Sequence, residues 1–344
     1  MTDAEALHTA ARRWCSERAD RWRAQYDESA RKIERPAKGG LLGELGLTTP
    51  GHPREAPNLV PHYKVLDAIL VEIERRTGHE FSSLPDVRHW LMAAARTAYE
   101  EESRPPDLVI PSMKDAFSSD VRERIQELGP RAKVVVGGAR EDDRARENRT
   151  MEEECEAFGA YVSALEGIDL AAVAPLPSRR TLSDEESQRL WSLLKSQWGV
   201  DGFWYPLDRS GHDTPPPDAV AFQAAPFWDN KLVEALQGIF RAAGLVRVYE
   251  LREDAQSADR EVDLELLRPW YNLNEGFWLD DTGDWVIYAS HDGSVTVAGA
   301  RLLPALKQVW RNWAEFTYSP PELGVERLVA PDVTTTSLRV EPPT

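Results

Sequence analysis

Side chains able to do acid–base chemistry near neutral pH are sparse in this chain, with 7 histidines among 344 residues. Two of them precede an aspartate directly, His212-Asp213 and His291-Asp292. A histidine held by a carboxylate is the usual unit for moving protons at neutral pH. Adjacent residues of a strand point to opposite faces, so neither pair forms a dyad by itself. His291 abuts a tight turn, and turn chemistry also explains it. As a catalytic residue it needs a carboxylate from elsewhere, and Glu275 is the nearest candidate if the intervening strands bring the two together. Asp280, Asp281 and Asp284 cluster at another turn. Hard cations such as calcium take several oxygen ligands at close range, but Asp also suits turn geometry with no metal.

Other chemical signals are weaker. Cys15 and Cys155 are too far apart in sequence to suggest a disulfide framework or a zinc site. Cys155 also sits among Glu152, Glu153, Glu154 and Glu156, where negative charge disfavours the thiolate. Gly137-Gly138 after a valine run could cradle an anion ahead of a helix, with a plain strand-ending turn as the competing reading. Gly40, Gly43 and Gly46 miss the dinucleotide-binding spacing. There is no P-loop, nucleophile elbow or metalloprotease histidine pair, and no pattern asks for a cofactor.

The stretch that must position His291 and Glu275 runs from Trp270 to Phe316 and carries the strongest folding signals. WVIYAS and VTVAG are β-branched and aromatic runs flanking His291-Asp292-Gly293-Ser294. Asp-Gly is the preferred pair for a two-residue type I′ hairpin. That loop sets Ala289 opposite Thr296 and Ile287 opposite Ala298, with Val286, Tyr288 and Ser290 sharing a face with Val295 and Val297. Upstream, GFWL enters the Asp280-Asp281-Thr282-Gly283 turn, and a four-residue loop there puts Trp278 opposite Trp285. After Gly299 the period changes, and Leu306, Val309, Trp310 and Trp313 predict a helix covering one face of a three-stranded meander.

Toward the N-terminus the pattern is mostly helical. Apolar residues at helical spacing predict helices over residues 3–33, from Val65 toward Gly78, and from Leu84 or Pro85 to Glu102 with Ser83 as cap. LVIP and KVVVGG read as short strands. Thr150 with Glu153 and Ser183 with Glu186 have capping-box spacing, each opening a helix. GFWYPL and LVRVYEL read as strands, and Val262, Leu264 and Leu266 alternate as in a half-exposed strand. Asp229 caps a helix that Gly244 ends. The fold class is therefore α+β, with a mostly helical N-terminal half and a C-terminal antiparallel β-meander packed against helices. The expected division is a helical domain over 1–174, an α+β domain over 175–319 and a loose tail over 320–344.

A net charge of −17 repels phosphate backbones and anionic lipid, so nucleic-acid and membrane partners are not expected. The same field draws in a basic protein. The N-terminus lacks the apolar segment of a secretory signal, and a cytoplasmic setting follows. With 12 tryptophans, some rings must be partly exposed. Trp270, Tyr271, Trp278 and Trp285 are candidates to line a partner or ligand surface, against the competing reading of core packing.

GFWLDDTGDWVIYASHDGSVTVAG with the following VWRNW helix resembles C-terminal regions of uncharacterised bacterial proteins, some of the kind associated with toxin-immunity loci. The resemblance covers residues 180–316 and carries no catalytic residues with it. It implies a bacterial cytoplasmic protein with an immunity-type role. The resulting expectation is an acidic protein-binding protein, antitoxin-like, that recognises a basic partner. The alternative is an enzyme using His291 and a nearby carboxylate in a cleft between the domains.

Overall fold

The computed structural model describes residues 1–33, 35–36, 48–49, 56–111, 118–128, 133–136, 141–200, 204–206, 216, 218–253, 257–271 and 274–318. His212-Asp213, the glycines at 40, 43, 46, 137 and 138, and the 320–344 tail lie outside these residues. The chain is α+β. Helices α1 (Asp3–Ile33), α2 (Ala56–Ile73), α3 (Leu84–Ser103), α4 (Ser119–Leu128), α5 (Glu141–Ala164) and α6 (Gly167–Ala171) precede the main sheet. Small residues of α1, including Ala4, Ala11 and Cys15, let it pack closely on Val65, Ile69 and Ile73 of α2, with Leu91 and Phe158 completing this core. Ser83 caps α3 by accepting from the Asp86 N–H at 3.3 Å.

The pairings β1 (Arg35–Pro36) with β2 (Thr48–Thr49) and β3 (Leu108–Ile110) with β4 (Val134–Val136) are separate two-stranded units. Helix α5 begins at Glu141, so the Thr150 and Glu153 pair lies inside a helix and does not open one. The charged Arg144–Arg149 stretch costs little there, because Arg and Glu are good helix formers.

The main sheet has 7 strands, all antiparallel. They are β5 (Arg179–Thr181), β6 (Ala219–Gln223), β7 (Arg247–Arg252), β8 (Arg260–Asp263), β9 (Gly276–Leu279), β10 (Val286–Ala289) and β11 (Ser294–Ala298), in spatial order β5-β8-β7-β9-β10-β11-β6. Two cores sandwich it. On one face Ile287, Ala289, Val295, Val297 and Trp278 meet helices α8 (Asn230–Ala242) and α9 (Leu302–Val309). On the other, Phe277, Val286, Tyr288 and Ala298 meet Leu190 and Leu194 of α7 (Asp184–Trp198). Helix α7 opens on the Ser183 and Glu186 capping box, and Asp229 caps α8, as their spacing predicts.

The β10–β11 turn corrects the expected register. Ala289 pairs with Val295 and Ile287 with Val297, one residue out of step with a two-residue loop. Ser290 N–H donates to the Ser294 carbonyl at 3.0 Å, and Gly293 takes a φ of 83°. The turn therefore has three residues, His291 to Gly293, with glycine in the left-handed position. Because side chains alternate, this shift of one residue moves Val295 and Val297 to the face of Ile287 and away from Tyr288. Trp278 likewise pairs with Ile287, not Trp285.

The Trp285 ring packs tilted against Phe240 of α8, 4.4 Å between ring centroids, and its Nε1 donates to Asp280 at 2.9 Å. Three further expectations change. Tyr205-Pro206 forms a turn, not part of a strand. Leu264–Leu266 is a 3-10 turn after β8. Helix α9 ends at an exposed Val309, and Trp313 belongs to a separate 3-10 turn.

The helical layer covers the β5 edge of the sheet. Thr181 N–H donates to the Glu74 carbonyl at 2.7 Å and its Oγ1 to the Val71 carbonyl at 3.1 Å, which occupies an edge that would otherwise be open to strand addition. The opposite edge, β6, is met by Thr317 and by Tyr318 N–H, which donates to the Ala221 carbonyl at 2.9 Å.

Candidate functional site

Glu275 directly precedes β9 and Ser290 directly follows β10, and the pairing of Gly276 with Ala289 sets them across from each other. Alternation puts Glu275 on the same face as Phe277, and Tyr288 with Ser290 on that face too. A larger residue at Gly276 would crowd the buried Trp278 ring, since a Cβ there would lie 2.9 Å from Trp278 Cη2 as well as 2.8 Å from Arg252 Nη1.

The result is a buried carboxylate, 3% exposed, at the end of the sheet. One Glu275 oxygen accepts from Tyr288 Oη; the other accepts from Ser290 Oγ at 3.2 Å and His291 N–H at 3.2 Å and pairs with His291 Nδ1. Glu253 brings a second carboxyl beside it, its N–H donating to the Glu275 carbonyl at 3.2 Å. Burial pushes the Glu275 carboxyl up, but the Tyr288 and His291 hydrogen bonds outweigh it and hold the group below the usual carboxylate value. Burial, and then the hydrogen bond to Glu275, raise the Tyr288 phenol.

His291 and Glu275 thus meet, as the meander could allow. The imidazole is 58% exposed while its Nδ1 is held, so Nε2 is the ring atom left to solvent or a ligand. The pair sits by the β10–β11 turn, far across the sheet from β5, and so does not lie in the junction with the helical layer.

The aromatic candidates separate by burial. Trp278 at 0% and Trp285 at 6% are core residues with no ring face to offer a partner, so of the four aromatic candidates only Trp270 and Tyr271 keep any exposed ring surface. Trp270 is half-buried and Tyr271 is exposed, its ring centroid 6.5 Å from that of His291. Sequence reasoning missed Trp228. It closes the 3-10 turn Ala225–Trp228, is 52% exposed, and lies at the His291 end of the sheet because Ala224 N–H donates to the Gly293 carbonyl at 2.8 Å. The only hint in the sequence was its place directly before the α8 cap.

The aspartates of the β9–β10 turn serve the turn. Asp280 accepts from Thr282 N at 2.9 Å, Thr282 Oγ1 at 2.6 Å and Trp285 Nε1 at 2.9 Å. Asp281 accepts from Arg189 at 2.9 Å and Tyr249 Oη at 3.1 Å, and Asp284 is exposed. Among the described residues no three His, Cys, Asp or Glu side chains could hold a metal ion.

Two further buried carboxylates were not foreseen. Glu154 accepts from Arg18 Nε at 2.5 Å and Trp22 Nε1 at 3.1 Å and pairs with His62 Nδ1 at 2.7 Å, while Trp22 stacks on the His62 ring at 3.8 Å. These contacts offset burial and lower its carboxyl, whereas burial and then Glu154 push the adjacent Cys155 thiol up to about 12. Glu74 is bonded by Arg12 Nε at 3.0 Å and Arg179 Nε at 2.9 Å where the helical layer meets β5. Among the described residues, no helix is long and apolar enough to cross a membrane.

No protein-family model, curated protein or solved structure matches this chain.

Proposed function

We propose that this chain is a protein-binding protein of the bacterial cytoplasm, and that its contact surface is the end of the sheet carrying Trp228, Tyr271 and His291. The observations that support this reading are that the exposed Tyr271 ring lies 6.5 Å from that of His291, and that the exposed Trp228 follows β6 at the same end of the sheet. Exposed aromatics on a preorganised frame are the usual anchors of interfaces, because they bury much area for little lost entropy. Glu275 supplies that frame by fixing His291 at both its backbone and its ring. With a chain charge of −17, the partner of best fit carries Lys and Arg around an apolar centre. A basic toxin is one such partner, and neutralising it is the role implied by the resemblance of residues 180–316.

Pull-down from a bacterial lysate at low and high salt tests this reading. The expected result is a partner held at low salt, weakened at high salt, and lost from the Trp228→Ala, Tyr271→Ala double variant. Capture unchanged by either salt or the substitutions would exclude this surface.

The second reading is an acid–base enzyme in which Glu275 orients His291 and Nε2 exchanges a proton with substrate. The specific observation in its favour is the buried carboxylate on Nδ1, the arrangement that fixes a catalytic imidazole's tautomer. If it holds, a substrate screen would find a turnover that His291→Gln abolishes while Trp228→Ala leaves it intact.

A further inference from the structure

The junction between the helical layer and the sheet forms an open cleft of about 280 Å³ at the Arg247 end of β7, and so opposite the Glu275 end. Its wall comes from both sides: Thr9 and Arg12 of α1 and His79 after α2 face Ser178, Arg179 and Arg247. Arg12 and Arg179 point Nε at the buried Glu74 behind the wall, and Arg260 Nε lies 4.0 Å from the same carboxylate. One carboxylate is therefore shared by Arg12 and Arg179, with a third guanidinium, that of Arg260, close by.

The donors are held but not used up. Arg12 gives one Nη to the Pro177 carbonyl at 3.2 Å. Arg247 is tied to Asp263 through Nε at 3.1 Å, with Glu261 3.9 Å from its Nη1. The Nη atoms of Arg179 have no partner among the described residues, and neither does Ser178 Oγ. Glu5, the carboxylate on the wall, is taken by the Thr2 N–H at 2.6 Å. His8 is buried with its Nε2 at the Ile73 carbonyl, 3.2 Å, and burial lowers its pKa to about 4, so it adds no charge.

We propose that this cleft binds a phosphate group, as inorganic phosphate or as the end of a small phosphomonoester, gripped from the helical layer and the sheet together. Planar guanidinium forks match a multiply charged oxyanion better than a single carboxylate does, and the Thr9 and Ser178 hydroxyls can complete its shell. The volume falls just below the roughly 300 Å³ at which drug-sized pockets begin, which suits a small ligand. Glu74 keeps Arg12 and Arg179 in place before the ligand arrives, so little side-chain entropy remains to be lost.

Isothermal titration of the full chain with inorganic phosphate and with a sugar phosphate, against chloride at equal ionic strength, tests the site. The expected result is saturable binding of at least one phosphate, no saturable response to chloride, and binding at least tenfold weaker in Arg247→Gln. That residue is partly exposed and leaves the Glu74 contacts intact. Ser178→Asp, which adds a negative charge to the wall, should abolish binding while keeping the parent's circular dichroism. Whichever phosphate binds more tightly identifies the source. Absence of saturable phosphate binding, an equal response to chloride, or parent-like affinity in folded Arg247→Gln would overturn the proposal.

Discussion

Glu275→Gln is the substitution that probes the frame under His291 most sharply, because it keeps the shape and removes the charge. In the parent the carboxylate accepts from Tyr288 Oη, Ser290 Oγ and His291 N–H and pairs with His291 Nδ1, all while buried. A hydrogen bond to a charged group contributes about 1.5–3 kcal/mol and a neutral one about 0.5–1.5 kcal/mol. The amide weakens the bonds it keeps and sets its NH2 against a donor on one side, so the expected loss is about 2–4 kcal/mol.

The pH dependence follows from the lowered Glu275 carboxyl. A carboxyl whose folded pKa lies below its unfolded value adds stability above the unfolded pKa, near 4.5 here, and loses it as pH falls through the folded value. Urea denaturation of parent and variant at pH 7, and at steps below pH 4.5, should therefore show the full deficit at neutral pH and a shrinking one in acid. A variant as stable as the parent at pH 7, or a deficit constant down to acid unfolding, would refute the account of this cluster.

Two other stability experiments bear on the frame. Trp285→Ala removes a buried ring packed against Phe240 and should cost about 3–5 kcal/mol in chemical denaturation; a loss under 1 kcal/mol would mean the ring is not core. Glu74→Ala leaves Arg12 and Arg179 without their shared carboxylate at the helical junction and should cost about 3 kcal/mol, with chelate-like coupling of the two halves weakened. Unchanged denaturation would remove Glu74 as the tie between them.

Local signals in the sequence were legible where a few neighbouring residues decide the outcome. The Ser183 and Glu186 box, the Asp229 cap and Gly244 each satisfy helix-end groups within one turn, and all three are in place. The β10–β11 register was not legible, because Asp292-Gly293 suits a two-residue loop and a three-residue loop equally; the pairing across the sheet decides between them. The Thr150 and Glu153 signal failed for a related reason, since α5 continues back to Glu141 and gives that box no helix end to cap.

The candidate site was half legible. His291 and Glu275 are close enough in sequence for a meander to join them, whereas Trp228 is marked only by its place directly before the α8 cap. Glu74 in Ile73-Glu74-Arg75-Arg76 reads as a solvated helix end, and it is buried between Arg12 of α1 and Arg179 of β5, which no local pattern shows. His62 and Glu154 come from α2 and α5, a pairing set by helix packing that no local pattern records.

The measurement closest to the central claim is capture of a bacterial partner by the parent and by the Trp228→Ala, Tyr271→Ala double variant, with both shown to be equally stable. Neither ring is buried, so the substitutions should leave folding intact. The account predicts a salt-sensitive partner bound by the parent and lost from the double variant. The same partner retained at the same affinity by the double variant would contradict it.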